Sequence, residues 1–137
     1  MPMTLASRAA LVATGAAVLV AGGVLAETID ERSDIRSHAV AITGGDPDRG
    51  QQLFIDYGCG GCHGVKHVPR ATGMVGPPLD GVAVRSILAG RLSNTPENMQ
   101  RWIRDPQAVA PGTAMPDLNV DARDARDISA FLYTRAE

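Results

Sequence analysis

The only two cysteines of the 137-residue chain lie in the stretch Cys59-Gly-Gly-Cys62, and His63 follows directly. This spacing sets both sulfurs on one tight turn and carries the next side chain along with them. Such a motif serves a disulfide, a metal site or the covalent attachment of a haem. The fold of the whole chain must therefore accommodate a disulfide, a metal ion or a haem at this turn.

The haem interpretation accounts for all three residues. Each thiol can add across one of the two vinyl groups of haem, and the imidazole of His63 is then carried under the porphyrin plane, where it can bind iron. Disulfide exchange belongs near a βαβ pattern, which the sequence lacks. A disulfide between Cys59 and Cys62 would close too small a loop to stabilise much. Zinc could use both cysteines, His63 and His67, but adjacent Cys62 and His63 are poor tetrahedral partners. We expect one haem c, covalently held by Cys59 and Cys62.

The N-terminal segment has the pattern of an export signal. Its apolar run from Ala9 to Ala26 carries no charge and ends in Val-Leu-Ala, a small-residue pattern that export peptidases accept. Residues 1–26 are therefore predicted to be a signal peptide or, if uncleaved, an N-terminal membrane anchor. Residues 27–45 have mixed charge and few large apolar side chains, which predicts a flexible linker. Because haem c is attached outside the cytoplasm, export agrees with the cysteine motif and indicates a periplasmic protein, soluble or tethered.

The remaining residues, 46–137, form the predicted domain, and its helices are recognised by their caps. Asp46 before Pro47 begins one helix, Thr95 before Pro96 begins a second, and Asp121 begins the last. A short helix is also predicted over residues 82–89. No alternating strand pattern is present.

These helices imply an all-α domain of three to four short helices joined by long loops. With two phenylalanines, two tyrosines and one tryptophan in the chain, its core would be thin. A large flat cofactor would supply the missing hydrophobic mass.

Five stretches occur in an order that resembles a small class I cytochrome c. They are CGGCH, GPPL, NTPENMQRWIRDP, PGTAMP and DISAFLYTRAE, and the resemblance covers residues 46–137. The segment NTPENMQRWIRDPQAVAPGTAMPDL is especially similar to bacterial cytochromes c associated with terminal oxidases, including the cytochrome domain fused to some oxidase subunits. The implied fold is that of cytochrome c, with helices and loops wrapped around one covalently bound haem.

The resemblance assigns roles around His63. Cys59 and Cys62 would form the thioether links, and His63 would be the proximal iron ligand. In the family, the proline of the GPxL stretch accepts a hydrogen bond from the other nitrogen of this histidine through its carbonyl, and Pro77 matches that proline. Such a contact would fix the imidazole ring and raise its basicity as a ligand.

The sixth iron ligand has five candidates in the sequence: His38, His67, Met74, Met99 and Met115. His67 follows His63 too closely to reach the opposite haem face easily, and Met99 lies on a predicted core face. Met115 stands in a loop stiffened by prolines, the place of the distal methionine in cytochromes c. The resemblance therefore implies that His63 and Met115 are the two axial ligands.

Further positions follow from the family pattern or from charge. Trp102 lies where the family carries an aromatic residue against the haem, although a plain core tryptophan would explain it equally well. Arg91 is a candidate partner for a haem propionate. Gly50 and Phe54 resemble the first-helix pair that crosses the last helix, where Phe131 takes the aromatic position.

These features indicate a one-electron carrier. The sequence has no nucleophile–base pair, no paired-carboxylate motif and no phosphate loop, so we expect no enzyme activity of its own. Electrons would pass from a quinol-oxidising complex or a dehydrogenase towards a terminal oxidase in a periplasmic respiratory chain. Two alternatives remain open: a haem enzyme or gas sensor with an open sixth site, and a tightly bound haem subunit of a larger oxidoreductase.

Charge and composition limit the kinds of partner that this protein can bind. The formal net charge is −2, with acids and bases interspersed and no basic stripe, which argues against nucleic acid. Arg85, among other arginines, is expected to be solvated surface. We expect a monomer that meets redox proteins in weak encounters and touches the membrane only through an uncleaved N-terminus.

Overall fold

The computed structural model describes residues 5–136, with side chains from residue 14 onward. Residues 1–4 of the predicted export segment and residue 137 lie outside the described part. The chain divides into two compact units, Met1–Asp34 and Ile35–Glu137. The helices are α1 (Leu5–Thr43), α2 (Pro47–Asp56), α3 (Cys59–Cys62), α4 (Pro96–Arg104), α5 (Pro106–Val109) and α6 (Ala122–Tyr133). The strands are β1 (His63–Gly64), β2 (Thr72–Met74), β3 (Ile87–Leu88) and β4 (Leu92–Ser93), and a 3₁₀ turn covers Val82–Val84.

Helix α1 extends through most of the segment that the sequence predicts as a flexible linker. The helix continues to Thr43, and in its last turns Ala39 is 0% exposed. The hydroxyl of Thr43 donates to the carbonyl of Ala39 at 2.6 Å, and Arg36 pairs with Asp48 of α2 at 2.5 Å. The buried side chains here, Ala39 and Thr43, are small, which allows close packing at this end of the helix. Among the described helices, none combines the length and hydropathy needed to cross a membrane.

The three capped helices predicted from the sequence are confirmed. The Asp46 carboxylate accepts from the backbone N–H groups of residues 48 and 49 at the start of α2. The Thr95 hydroxyl accepts from the N–H of residue 98, and the Asp121 carboxylate accepts from the N–H of residue 124. These acceptors satisfy N–H groups that have no partner within the helix.

Helices α2 and α6 cross at very close range. A Cβ at Gly50 would collide with the backbone carbonyl of Asp127, so only glycine permits this approach. The rings of Phe54 and Phe131 lie 5.4 Å apart at 54°, as the family pattern predicts. This crossing forms the centre of the core, whose buried members include Phe54, Val82, Leu88, Met99, Ile103, Ala125, Ile128, Phe131 and Leu132.

Ion pairs also join helices α2 and α6. The guanidinium of Arg49 on α2 pairs with Asp124 at 2.5 Å and also with Asp127, both on α6. The Tyr57 hydroxyl donates to Asp124 at 2.8 Å. The hydrogen bond from Tyr57, together with the Arg49 charge, lowers the pKa of Asp124 below its ordinary value. Charge pairing therefore adds to the apolar contact between the two helices.

Residues 82–93 differ from the predicted short helix. Only Val82–Val84 form a 3₁₀ turn, and β3 and β4 then pair as a small antiparallel hairpin. Its turn has positive φ at Ala89 and Gly90, and the N–H of Arg91 donates to the carbonyl of Leu88 at 2.9 Å. Two successive positive φ values are typical of tight hairpin turns. The prediction of a helix through residue 89 is therefore wrong.

Candidate functional site

The cysteine motif forms one short helical turn between two changes of backbone direction. Gly58, which follows α2, has φ +80°, a conformation that favours glycine, and the chain enters α3 at once. The N–H of His63 donates to the carbonyl of Cys59, and His63 itself is extended. Cys59 and Cys62 thus begin and end a single turn, as the motif predicts, and His63 leaves it as the first residue of β1.

The imidazole of His63 is oriented by a backbone carbonyl. Its Nδ1 lies 2.7 Å from the carbonyl oxygen of Pro77, which is the contact that the resemblance to cytochrome c implies. Because a carbonyl can only accept, Nδ1 carries the proton and the other nitrogen, Nε2, keeps a free lone pair. This arrangement is typical of metal-binding histidines.

Glycines make room around this ring. A Cβ at Gly76 would lie 2.7 Å from Nδ1 and 2.9 Å from Nε2 of His63, so the imidazole rests directly against the Gly76 backbone. The Gly76 N–H donates to the carbonyl of Cys62 at 2.9 Å. A Cβ at Gly73 would overlap the backbone of Gly61. These contacts hold the cysteine turn and His63 against the segment that leads to Pro77.

The two cysteines are free thiols, and the surroundings of Cys59 disfavour its charged form. Burial raises the pKa of Cys59 to about 11, whereas exchange-active cysteines have lowered pKa values. Zinc would also require thiolates, and within residues 5–136 no cluster of three or more His, Cys, Asp or Glu side chains could hold a metal ion. A neutral, apolar thioether suits this partly buried position better than a thiolate.

Apolar side chains are exposed in the segments next to His63 and Pro77. Met74 and Val75, which lead from β2 to Pro77, are 93% and 80% exposed. Large apolar side chains exposed together usually mark a binding surface. Together with two free thiols and an imidazole with one available nitrogen, they match a flat, largely apolar group that binds iron. The residues present therefore fit haem c.

The structure places the candidate sixth ligands in different surroundings. Met99 is 2% exposed within the core, and Met74 pairs with His63 in the β1–β2 ladder. His67 has φ +58° in the loop directly after β1, and His38 is exposed on α1. Met115 is half-buried in the loop between α5 and α6.

The loop that carries Met115 begins with a tight turn. Gly112 has φ +81° after Pro111, and the N–H of Thr113 donates to the carbonyl of Ala110 at 3.0 Å. Proline followed by a residue with positive φ is typical of a type II turn. Local backbone geometry therefore restricts this loop just before Met115.

The predicted haem contacts of Trp102 and Arg91 remain predictions. Trp102 is half-buried on α4, and Arg91 is exposed at the tip of the β3–β4 hairpin. In the part of the chain that the structure describes, neither side chain forms a hydrogen bond or an ion pair. The haem-packing role of Trp102 and the propionate role of Arg91 therefore depend on the family pattern and on charge.

Sequence reasoning missed several side chains that hold the loops near these residues. Arg85, expected to be solvated, donates through one nitrogen to the carbonyls of Pro78 at 2.6 Å and Asp80 at 3.0 Å. Asn94 donates to the carbonyls of Val82 and Arg85. Backbone carbonyls are the same at every residue, so no sequence pattern identifies such acceptors in advance.

Comparison with known proteins agrees with this site. The cytochrome c family model matches residues 47–136. The chain is similar to cytochrome c oxidase subunit 2 of Alkalihalophilus pseudofirmus, with 39% identity over 86 residues, which are 62% of this chain and 24% of that protein. It is also similar to cytochrome c oxidase subunit 2 of Bacillus sp. (strain PS3), with 35% identity over 68 residues, 48% of this chain and 19% of that protein.

The chain thus spans a quarter or less of the length of these relatives. No solved structure matches it. The family model covers most of the chain, including the cysteine turn, His63 and the Met115 loop. The chain therefore belongs to the cytochrome c family, whose members carry electrons by means of a covalently bound haem.

Proposed function

We propose that this protein is a one-electron carrier in which His63 and Met115 are the axial ligands of haem c. The observation that carries the proposal is the hydrogen bond between Nδ1 of His63 and the carbonyl of Pro77, which leaves Nε2 for iron. Cys59 and Cys62, one helical turn apart, would hold the haem by thioether bonds. Covalent attachment would keep the cofactor in a domain with few large core side chains.

The surroundings of the other candidates support Met115 as the second ligand. Met99 is enclosed by core side chains, and Met74 pairs with His63 and so lies on the His63 side. His67 belongs to the turn next to His63. Met115 is half-buried in a restrained loop that is distant in sequence from the cysteine turn. Its loop also matches the place of the distal methionine in class I cytochromes c, which supports Met115 as the second ligand.

When bound, haem c supplies a one-electron couple between ferric and ferrous iron, and a thioether ligand favours the ferrous state. The chain would hold both axial positions, leaving none for a substrate, and so we propose no enzyme activity of its own. Pro77 would keep the His63 ring in one orientation and raise its basicity. Neighbouring apolar side chains would exclude water and lower the local dielectric.

We further propose a place in the periplasm, with residues 1–26 as the export segment. A quinol-oxidising complex or a dehydrogenase would be the donor, and a terminal oxidase the acceptor. Similarity to two proteins named cytochrome c oxidase subunit 2 supports an oxidase as acceptor. The same similarity favours a second candidate, a cytochrome fixed within an oxidase, which would copurify with the oxidase in stoichiometric amount after detergent extraction.

The test of axial ligation is an absorption spectrum of the purified haem-loaded protein, oxidised, then reduced, then exposed to carbon monoxide. We expect sharp low-spin bands that carbon monoxide does not change. Met115→Leu should become high-spin and bind carbon monoxide, whereas Met74→Leu, which removes a sulfur but keeps an apolar side chain at that surface, should keep low-spin bands that carbon monoxide does not change. A wild-type protein that binds carbon monoxide readily would favour the haem enzyme or gas sensor instead.

A further inference from the structure

We propose that Gln107 is the positioning residue that holds Met115 as an iron ligand. This inference rests on the proposed ligation by His63 and Met115. Gln107 lies on the short helix α5, and its side chain reaches across the loop to the backbone of Met115. It does not touch the haem iron in this role; it acts through the loop backbone.

The amide of Gln107 makes three hydrogen bonds to this loop. Its Nε2 donates to the carbonyl of Thr113 at 2.9 Å and to the carbonyl of Met115 at 3.0 Å. Its Oε1 accepts from the N–H of Gly112 at 3.1 Å. Only one orientation of the amide satisfies all three partners, because carbonyls need donors and an N–H needs an acceptor. The three hydrogen bonds therefore fix the orientation of the Gln107 amide.

Gln107 is itself held firmly. Asp105 caps α5 by accepting from the N–H of Ala108 at 2.8 Å, and the N–H of Ala110 donates to the carbonyl of Pro106 at 2.8 Å. Pro106 is buried. The amide of Gln107 thus projects from a restrained backbone, and its hydrogen bonds transfer that restraint to the loop.

The turn at Pro111 and Gly112 alone does not fix Met115. Its internal hydrogen bond closes at Thr113, two residues before the methionine. Gln107 binds both inside this turn and beyond it, at the Met115 carbonyl, and so joins the two parts of the loop. Losing the amide should leave the turn intact but allow Met115 to leave iron more often.

The experiment uses two variants of the haem-loaded protein. Gln107→Leu keeps the approximate size and removes all three hydrogen bonds. Gln107→Glu keeps the acceptor for Gly112 but sets a carboxylate against two carbonyls, and it provides the measurement if the leucine variant does not fold. Gln52→Leu on the exposed face of α2 is the matched control, and Ile103→Val controls for lost stability in the core.

Three quantities are measured: the methionine-to-iron charge-transfer absorption of the oxidised protein, the rate of carbon monoxide binding to the reduced protein, and the unfolding midpoint in urea. We expect both Gln107 variants to weaken the absorption and to bind carbon monoxide about tenfold faster or more, the factor that corresponds to losing one to two net hydrogen bonds. Gln52→Leu should match the wild type. Ile103→Val should lose stability without changing either ligand signal.

Two results would overturn the inference. One is unchanged absorption and carbon monoxide binding in the Gln107 variants. The other is that Ile103→Val changes the methionine absorption and the carbon monoxide binding as much as a Gln107 variant with the same loss of stability. Gln107 would then contribute only to stability. If the wild type itself lacks the methionine absorption, the proposed ligation fails, which is a separate outcome from failure of the Gln107 role.

Discussion

The crossing of helices α2 and α6 is held together differently from the loops that carry His63, Pro77 and Met115. In the crossing, backbones meet at Gly50, aromatic rings pack, and buried side chains dominate. In the loops, single polar side chains bind backbone carbonyls, as His63 does at Pro77 and Gln107 does at Met115. The loops also expose apolar side chains, of which Met74 is the most exposed.

We therefore expect the helix crossing to determine the stability of the domain and the loops to determine the positions of the ligands. Packing in the crossing is collective, so a change there should affect the free energy of unfolding of the whole domain. A polar contact in a loop fixes only a few residues, so its loss should act mainly on the local position of a ligand or hairpin. Changes in each region should therefore have distinct experimental signatures.

The largest expected effect comes from Gly50→Ala. A Cβ at this position would collide with the backbone carbonyl of Asp127, which cannot rotate away as a side chain could. The two helices would have to separate, which we expect to cost about 3 kcal/mol of unfolding free energy or more. Urea unfolding followed by far-UV circular dichroism measures this loss.

Gly61→Ala is the matched control, because a Cβ there would meet no atom within 4 Å outside its chain neighbours and its own helix. It should change the unfolding free energy by less than about 0.5 kcal/mol. Equal losses in Gly50→Ala and Gly61→Ala would mean that close backbone approach does not hold the crossing together.

A smaller effect is expected at Asp124, where charge pairing joins the same two helices. The hydrogen bond from Tyr57 and the charge of Arg49 lower the pKa of Asp124 in the folded state. Because the folded-state pKa lies below the unfolded-state value, the carboxylate stabilises the fold above its ordinary pKa of 3.8. That contribution is lost as the pH falls through the lowered folded-state pKa.

Asp124→Asn should therefore cost about 1–3 kcal/mol of unfolding free energy at neutral pH, the range for a disrupted hydrogen bond to a charged group. The difference from the wild type should shrink steadily as the pH falls below 3.8. Urea titrations at a series of pH values measure it, with exposed Asp56→Asn on α2 as the control. A difference that does not depend on pH would exclude the ionised carboxylate as its cause.

The difference between the helix crossing and the loops also explains which features could be predicted from the sequence. The helix caps at Asp46, Thr95 and Asp121 depend on neighbours only two or three residues away, and all three were predicted correctly. The pairing of Phe54 with Phe131 was predicted from the resemblance to the helix crossing of class I cytochromes c. The caps are local features that the sequence shows directly, and the aromatic pairing is a feature that the family pattern supplies.

The contacts that were missed depend on distant backbone atoms. Residues up to Thr43 are helical although a flexible linker was predicted, because small Ala39 gives no sign of burial. The hydrogen bonds of Arg85 and Gln107 end on carbonyls, which every residue possesses. Their positions follow only from the fold.

The smallest expected effect lies where the two regions meet, at Tyr133 of α6. Burial raises the pKa of Tyr133 to about 12, so its hydroxyl stays protonated and donates to Oδ1 of Asn94 at 2.8 Å. The Nδ2 of Asn94 in turn donates to the carbonyls of Val82 and Arg85. One tyrosine of the helix crossing thus anchors the segment that contains the β3–β4 hairpin.

Tyr133→Phe removes only this hydroxyl and should cost about 1 kcal/mol of unfolding free energy. Its distinctive result should appear in hydrogen exchange, where amides of residues 82–94 should exchange about two- to tenfold faster while those of α2 stay protected. Tyr57→Phe, which removes the hydroxyl bound to Asp124, is the matched control and should affect α2 and α6 instead. If both variants accelerate exchange in the same amides, the crossing and the hairpin segment open as one cooperative unit, and the proposed separation between them does not hold.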